Sequence, residues 1–467
     1  MQGKKKYNKQ LSVFVNIEDL IPDNHYLRKI NKIFDISFVR ELTAECYSQR
    51  YGRPSIDPEV YFRMMVIGYL YEIEHDRKLC EEIKYNIAYR WYCRLHLDDS
   101  VPEHSSLSRI RDRYGHEIFK RFFDKIISLC QKHGLIKGNR VMTDSSLFKA
   151  DASIDSIVAK DKELANQERE KILNRNVNDP MPKRTIKNDT HVSMSDPDST
   201  LARKEGTPRG LKYKMHTTID ADSRVVLSSR ITTGATHDTK IFIEQIKSIK
   251  SDYNLNITEA IADRGYGAID NIKQLHNMGI TTYIPLFNTK VGKKVLDIIA
   301  AGFRYDKKEN KYICPAGKDL LPIKSDTMAH YYSKSNICNN CKIKNHCVAN
   351  KNKRGHRIIH KNLDQELVEV EIHRMQTNVF QQKLADRMWK IEGVFAEAKN
   401  RHTFSRAKYR GLAKVQIQAY MVSAVQNLKR ILYCLFHVIQ RFISCLVYNF
   451  ECYFHYLLVN HYFYCLG

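Results

Sequence analysis

Three acidic residues, Asp144, Asp263 and Glu392, have the type and surroundings to do chemistry together. Asp144 interrupts the apolar, β-branched run NRVMTDSSLFKADAS, and Asp263 ends the short apolar run of NITEAIADRGYG, just before Gly265 and Gly267. Open α/β sheets present ligand-binding groups at the carboxyl ends of their strands, although an Asp before a glycine turn is also a common local feature. Glu392 lies in LADRMWKIEGVFAEAKNR, where Leu384, Met388, Ile391, Phe395 and Ala398 recur at helical spacing, and the same period places it on their apolar face. An ionised carboxylate there needs a partner, hydrogen bonds or a metal; otherwise it leans out from the helix edge into solvent. Carboxylates around a pair of divalent cations activate a water or a 3′-hydroxyl and stabilise the leaving oxygen of an in-line displacement. Mg²⁺ prefers such oxygen ligands. The expected chemistry is metal-dependent phosphoryl transfer on nucleic acid. Lys399, two helical turns and about 10 Å beyond Glu392, is too far away to pair with it and suits a phosphate of the same ligand.

A second group is Cys314, Cys338, Cys341 and Cys347. CNNCKIKNHC supplies a CxxC and a third Cys, and YICPAG a fourth. Four thiolates satisfy tetrahedral Zn²⁺, and His346 or His356 could replace one of them; free thiols in a loop are the alternative. A catalytic zinc is not expected, because no His-Glu pair lies close by in sequence.

The chain that must position these groups has 467 residues, enough for two or three domains. Its 76 Lys and Arg against 52 Asp and Glu give +24, which calls for a polyanionic partner. The basic residues are spread along the chain and not gathered on one amphipathic helix, which favours nucleic acid over a membrane surface. MQGKKKYNKQ is not followed by the apolar stretch of a secretory signal, and twelve scattered Cys suit reduced thiols, so a cytoplasmic place is expected.

Asp57 is a candidate N-cap and Pro58 fits the first turn of a buried helix, PEVYFRMMVIGYLYEI, too short and too interrupted to span a membrane. A helix over 76–89 follows, and then a basic helix on which Arg109 and Arg113 share a face. That suits a helix-turn-helix-like DNA reader or an ordinary bundle with a solvated arginine face. Residues 155–209 read as a weakly ordered polar insertion. LKYKMHTTID and SRVVLSSRIT predict a hairpin across Ala-Asp, Asp238 after His237 a cap for a helix over 239–250, and TTYIPLF a strand after a helix over 268–278.

Taken in order, these motifs resemble the DDE transposases of bacterial insertion sequences, in the IS-four and IS-five related group, and more closely the branch with a cysteine-bearing segment before the final Glu. The resemblance runs from about residue 57 to 428. MTDSSLFKADAS carries the first Asp, AIADRGYG the second with Gly265 and Tyr266, and IEGVFAEAK the Glu-x6-Lys of Glu392 and Lys399. The group's Arg four positions before the Glu is Met388 here, and Arg387 stands beside it. The resemblance implies an α/β fold with an RNase H-like mixed sheet flanked by helices. Its expected segments are an all-helical DNA-binding domain over 1–135, a catalytic core over 136–287 and 381–430, a cysteine-bearing insertion over 288–380 and an apolar tail over 431–467.

It also implies Asp144, Asp263 and Glu392 holding two Mg²⁺, or Mn²⁺, with Lys399, Arg387, Arg410, Arg109 and Arg113 toward DNA. The implied reaction is cleavage at the element's terminal inverted repeats and attack of the freed 3′-OH on target DNA, by a dimer or larger multimer associated with the nucleoid. A DNA-binding remnant that represses, and a nuclease that never joins strands, are the rival functions. The 37-residue tail from Ile431 reads as a helix packed on the core or as an exposed apolar segment.

Overall fold

The computed structural model describes residues 16–436 apart from 49, 51, 53–54, 175–185, 205, 288–297, 299–300, 324–328, 348–357 and 362–363. The readings made on residues 1–15 and 437–467 lie outside these. The chain divides into two units, one of residues 1–137, 145–236 and 392–467, the other of 138–144 and 237–391.

The first unit opens with helices. Asp57 caps the helix Pro58–Leu70 by accepting the Glu59 amide at 2.8 Å, as the sequence suggests. That helix is buried on nearly every side because it is the centre of an aromatic core, in which Phe62 stacks on Phe122 at 4.7 Å. The basic helix His104–Lys132 bends at Gly115, whose φ of +62° interrupts the helical backbone at a position that favours glycine. Arg109 and Arg113 are exposed on it as expected, whereas Arg111 is buried, ion-paired to Asp76 and stacked 4.0 Å over Tyr409. Among the described residues no helix is long and apolar enough to cross a membrane.

The strand β1 (Arg140–Lys149) is divided between the units. In the first unit it neighbours β5 (Gly210–Asp220), which pairs antiparallel with β4 (Thr200–Ala202) and β6 (Val226–Thr233). The predicted hairpin therefore forms, but its turn is longer than Ala-Asp: Asp220 Oδ1 accepts the amides of Asp222 and Ser223, and Arg224 takes φ +60°. The polar stretch 155–209 is less loose than its composition suggests. It holds β2 (Ile157–Ala159) paired with β3 (His191–Ser193) and the helix Lys162–Leu173. The buried Asp196 accepts from Tyr213 Oη at 2.6 Å and the Gly411 amide at 3.0 Å, and Asp198 accepts the Leu412 amide at 2.8 Å. Two acidic residues thus serve the first turn of the helix over 412–436, and these bonds add to the burial of Ile157 and Leu201 in ordering the stretch.

The free edge of β6 is met by side-chain amides of that helix. Asn427 accepts the Val226 amide and donates to its carbonyl, both at 2.8 Å, while Gln416 accepts the Ile231 amide and donates to the Ser229 carbonyl, both at 2.7 Å. The spacing matches, since eleven helical residues and five strand residues each span about 16.5 Å. Both residues are buried, so each truncation strands backbone groups. Gln416→Ala and Asn427→Ala are each expected to cost about 1–3 kcal/mol in urea unfolding, and similar losses for exposed control substitutions would refute the arrangement.

Glu397 lies in a charge cluster with Lys429 at 2.7 Å, Arg430 at 3.2 Å and His402 at 3.6 Å. Burial pushes its carboxyl up, but the His402, Arg430 and Lys429 contacts outweigh that and bring it from 4.5 down to about 2. The lowered folded-state value means stability is present above pH 4.5 and lost as pH falls toward 2. Glu397→Gln is therefore expected to be less stable than the parent at pH 7, with the gap closing below pH 4.5. A gap independent of pH would contradict this.

In the second unit the amino-terminal half of β1 pairs in parallel with β7 (Glu259–Ala262), and β7 with β8 (Thr281–Tyr283). The helix Thr239–Asp252 buries Phe242, Ile246 and Ile249, with Phe242 packed 5.0 Å from the Tyr266 ring. Gly267 cannot carry a side chain: a Cβ there would fall 1.9 Å from the Pro285 carbonyl oxygen.

Candidate active site

The parallel register aligns Arg140 with Glu259 through Thr143 with Ala262. The next residues are Asp144, in the middle of β1, and Asp263, directly after β7, so the ladder sets two carboxylates side by side on neighbouring strands, which lie about 4.8 Å apart. Asp263 caps the turn that follows by accepting the Gly265 amide at 2.9 Å.

A cation already serves the pair. Arg387 Nη2 is 3.2 Å from Asp144 Oδ2 and 3.9 Å from Asp263 Oδ2. Its side chain is 10% exposed and Asp144's 18%, whereas Asp263 is 47% exposed, so the pair opens to solvent on the Asp263 side. The helix Asn378–Arg401 positions it. Its apolar face is rotated from the one the sequence suggests: Met388 is 54% exposed, and Arg387, Ile391, Val394, Phe395 and Ala398 are buried. Glu392 is consequently exposed and does not lie within the apolar face. It is the first residue of the other unit on this continuous helix.

A further carboxylate escaped the sequence reading. Asp238 stands at the N-cap position of the helix Thr239–Asp252, yet its side chain makes no capping bond there. A Cβ on Gly265 would lie 3.3 Å from Asp238 Oδ2 and 3.0 Å from Asp263 Oδ1, so both carboxylates flank this glycine. The only signal in the sequence was His-Asp at the start of a helix.

In the first unit Lys399 is half-buried and donates to Ser146 Oγ at 2.7 Å. Burial, then the charge of Lys204, lowers its ammonium below the usual lysine range. Arg410 bonds the Asp151 carbonyl at 2.9 Å and its carboxylate at 3.1 Å, and Arg406 holds the same carboxylate at 2.9 Å. Arg410 is 57% exposed and remains accessible to a phosphate. Arg113 lies 5.0 Å over the Tyr47 ring, and Arg109 reaches the Ser105 carbonyl at 3.4 Å. Among the described residues no three His, Cys, Asp or Glu side chains stand together as a ready metal site. The carboxylate pair nonetheless fits a cation, because the Arg387 guanidinium is already drawn to it.

Comparison with known families adds two matches. Residues 15–113 match the transposase domain model of DUF772, and residues 313–432 match a transposase DDE domain. These support a DDE transposase; the second match takes in the cysteines, Glu392, Lys399 and Arg410 but neither Asp144 nor Asp263. Among solved structures, a chain of the piggyBac transposase synaptic complex with hairpin DNA, seen by cryo-electron microscopy, is similar at 11% identity and a TM-score of 0.31. That likeness covers 87% of this chain and 76% of the other. No curated protein matches the chain.

Proposed function

We propose that this chain is a DDE transposase with an RNase H-like core that cleaves the ends of an insertion sequence of the IS-four and IS-five related group and joins them to target DNA. The observation that carries the reading is the alignment of Asp144, within β1, beside Asp263, just past the end of the parallel strand β7, around a shared cation. Glu392 is assigned as the third carboxylate from its Glu-x6-Lys motif. Two Mg²⁺, or Mn²⁺, held by these residues would supply Lewis acidity and a bound hydroxide. The chain's own groups do the rest. Asp144 and Asp263 hold the charge at a defined place, Lys399 and Arg410 bind phosphates, and Arg109 and Arg113 contact the duplex from the exposed face of their helix. A multimer on paired ends, working in the cytoplasm at the nucleoid, completes the proposal. The net charge of +24 favours the polyanion throughout.

Incubating the protein with Mg²⁺ and a labelled duplex bearing the terminal inverted repeat tests this. Cleavage followed by strand transfer supports it. Cleavage alone would mark a nuclease, and a shifted but uncut duplex a repressor-like remnant.

A further inference from the structure

We infer that Cys314, Cys338, Cys341 and Cys347 form a structural zinc site that staples a small module within the second unit. The module's described strands are β9 (Arg304–Asp306), β10 (Lys311–Ile313), β11 (Asp319–Ile323), β12 (Ala329–Tyr332) and β13 (Ile358–Lys361), joined antiparallel in sequence order. Its buried core is Phe303, Tyr312, Leu320, Tyr331 and Ile359, with Cys314 and Cys347 packed against it. Five buried side chains are too few to offset the ordering of such a segment. Small modules of this kind depend on a disulfide or a metal, and no disulfide links these four cysteines to one another.

All four cysteines line one cavity of about 30 Å³, room enough for an ion. The tight turn after β10 aims the Lys318 amide at Cys314 Sγ, 3.3 Å away, with Gly317 at φ +71° permitting the turn. An amide directed at sulfur stabilises a thiolate. Cys338 and Cys341 are joined by the bond from the Cys341 amide to the Cys338 carbonyl, and Cys347 ends the short helix Lys344–Cys347. Lys318 and Lys344 also line the cavity, and their charges offset the net −2 of zinc with four thiolates. Among the described residues no three of the sulfurs stand as a closed ligand set; tetrahedral zinc takes its sulfurs at about 2.3 Å, and binding couples folding of the module to loading. The side chains of His346 and His356 lie outside the described residues.

The test is metal analysis of the full chain purified under reducing conditions, with alkylation of individual cysteines mapped by mass spectrometry. One zinc per chain is expected, with these four thiols protected until a chelator removes it. Co²⁺ exchanged into the parent protein should give the absorption bands of tetrahedral thiolate coordination. Cys338→Ser with Cys341→Ser should lose the ion and make residues 303–361 sensitive to protease, while Asp263→Asn keeps it. Zinc-free protein with four freely alkylated thiols, a disulfide among them, or full zinc in the double variant would overturn the site. The Co²⁺ spectrum of the parent decides even where the variant fails to fold, and none of these readings depends on cleavage of DNA.

Discussion

Asp263→Asn is expected to slow Mg²⁺-dependent cleavage of the end duplex by on the order of 10³-fold, about 4 kcal/mol of barrier, while binding of the duplex in a gel-shift assay stays within a few-fold. The amide keeps the shape of the side chain and its bond from Gly265, but it removes one of the two charges that β1 and β7 set side by side. Asp144→Asn should do the same. Because the pair acts as a unit, the double variant should be little worse than either single one. Cleavage by Asp263→Asn at the parental rate would end the metal-site reading and leave only a basic DNA-associating protein.

Arg387→Ala should separate metal binding from catalysis. The guanidinium lies 3.2 Å from Asp144 and 3.9 Å from Asp263, against the two carboxylates that would hold a divalent ion. A unit charge at 4 Å is worth about 4 kcal/mol at an effective dielectric of 20. Asp263 is half-exposed and solvent screens it, so about 1.4 kcal/mol is a fairer expectation, or tenfold in affinity. Mn²⁺ or Mg²⁺ titrated calorimetrically should therefore bind the alanine variant about tenfold more tightly than the parent. Its metal-free melting temperature should fall, because two neighbouring carboxylates lose their counterion, and saturating metal should restore much of the difference. Arg387→Lys should return both properties toward the parent. Unchanged or weaker metal affinity in Arg387→Ala would show that the arginine does not compete for the site.

Local chemistry was readable wherever a residue's role depends on its immediate neighbours. Asp57 before Pro58 reads as a cap, and Asp263 before Gly265 reads as a strand end, because an N-cap and a tight turn are decided within three or four residues. The helix that carries Glu392 was also visible, but not the face it buries. Leu384 and Met388 share a stripe with Ile391 as well as Arg387 does, and periodicity alone cannot tell which neighbour will be partnered. Arg387 goes inward because Asp144 and Asp263, remote in sequence, present charges to it, and burying a paired arginine costs less than leaving two carboxylates together. The same reasoning covers Asp238, whose carboxylate lies by Gly265 and does not cap its own helix.

By itself the sequence determined the basic character of the chain, the order of its acidic and cysteine motifs, and the caps and turns that begin and end its elements, since each of these depends on composition or on a few adjacent residues. Only the tertiary structure decided that Asp144 and Asp263 meet in register, that an arginine sits between them, and that Gln416 and Asn427 finish the edge of a strand some two hundred residues earlier in the chain. Those outcomes depend on strand pairing and on buried groups finding partners across long separations, and no local window of residues carries that information.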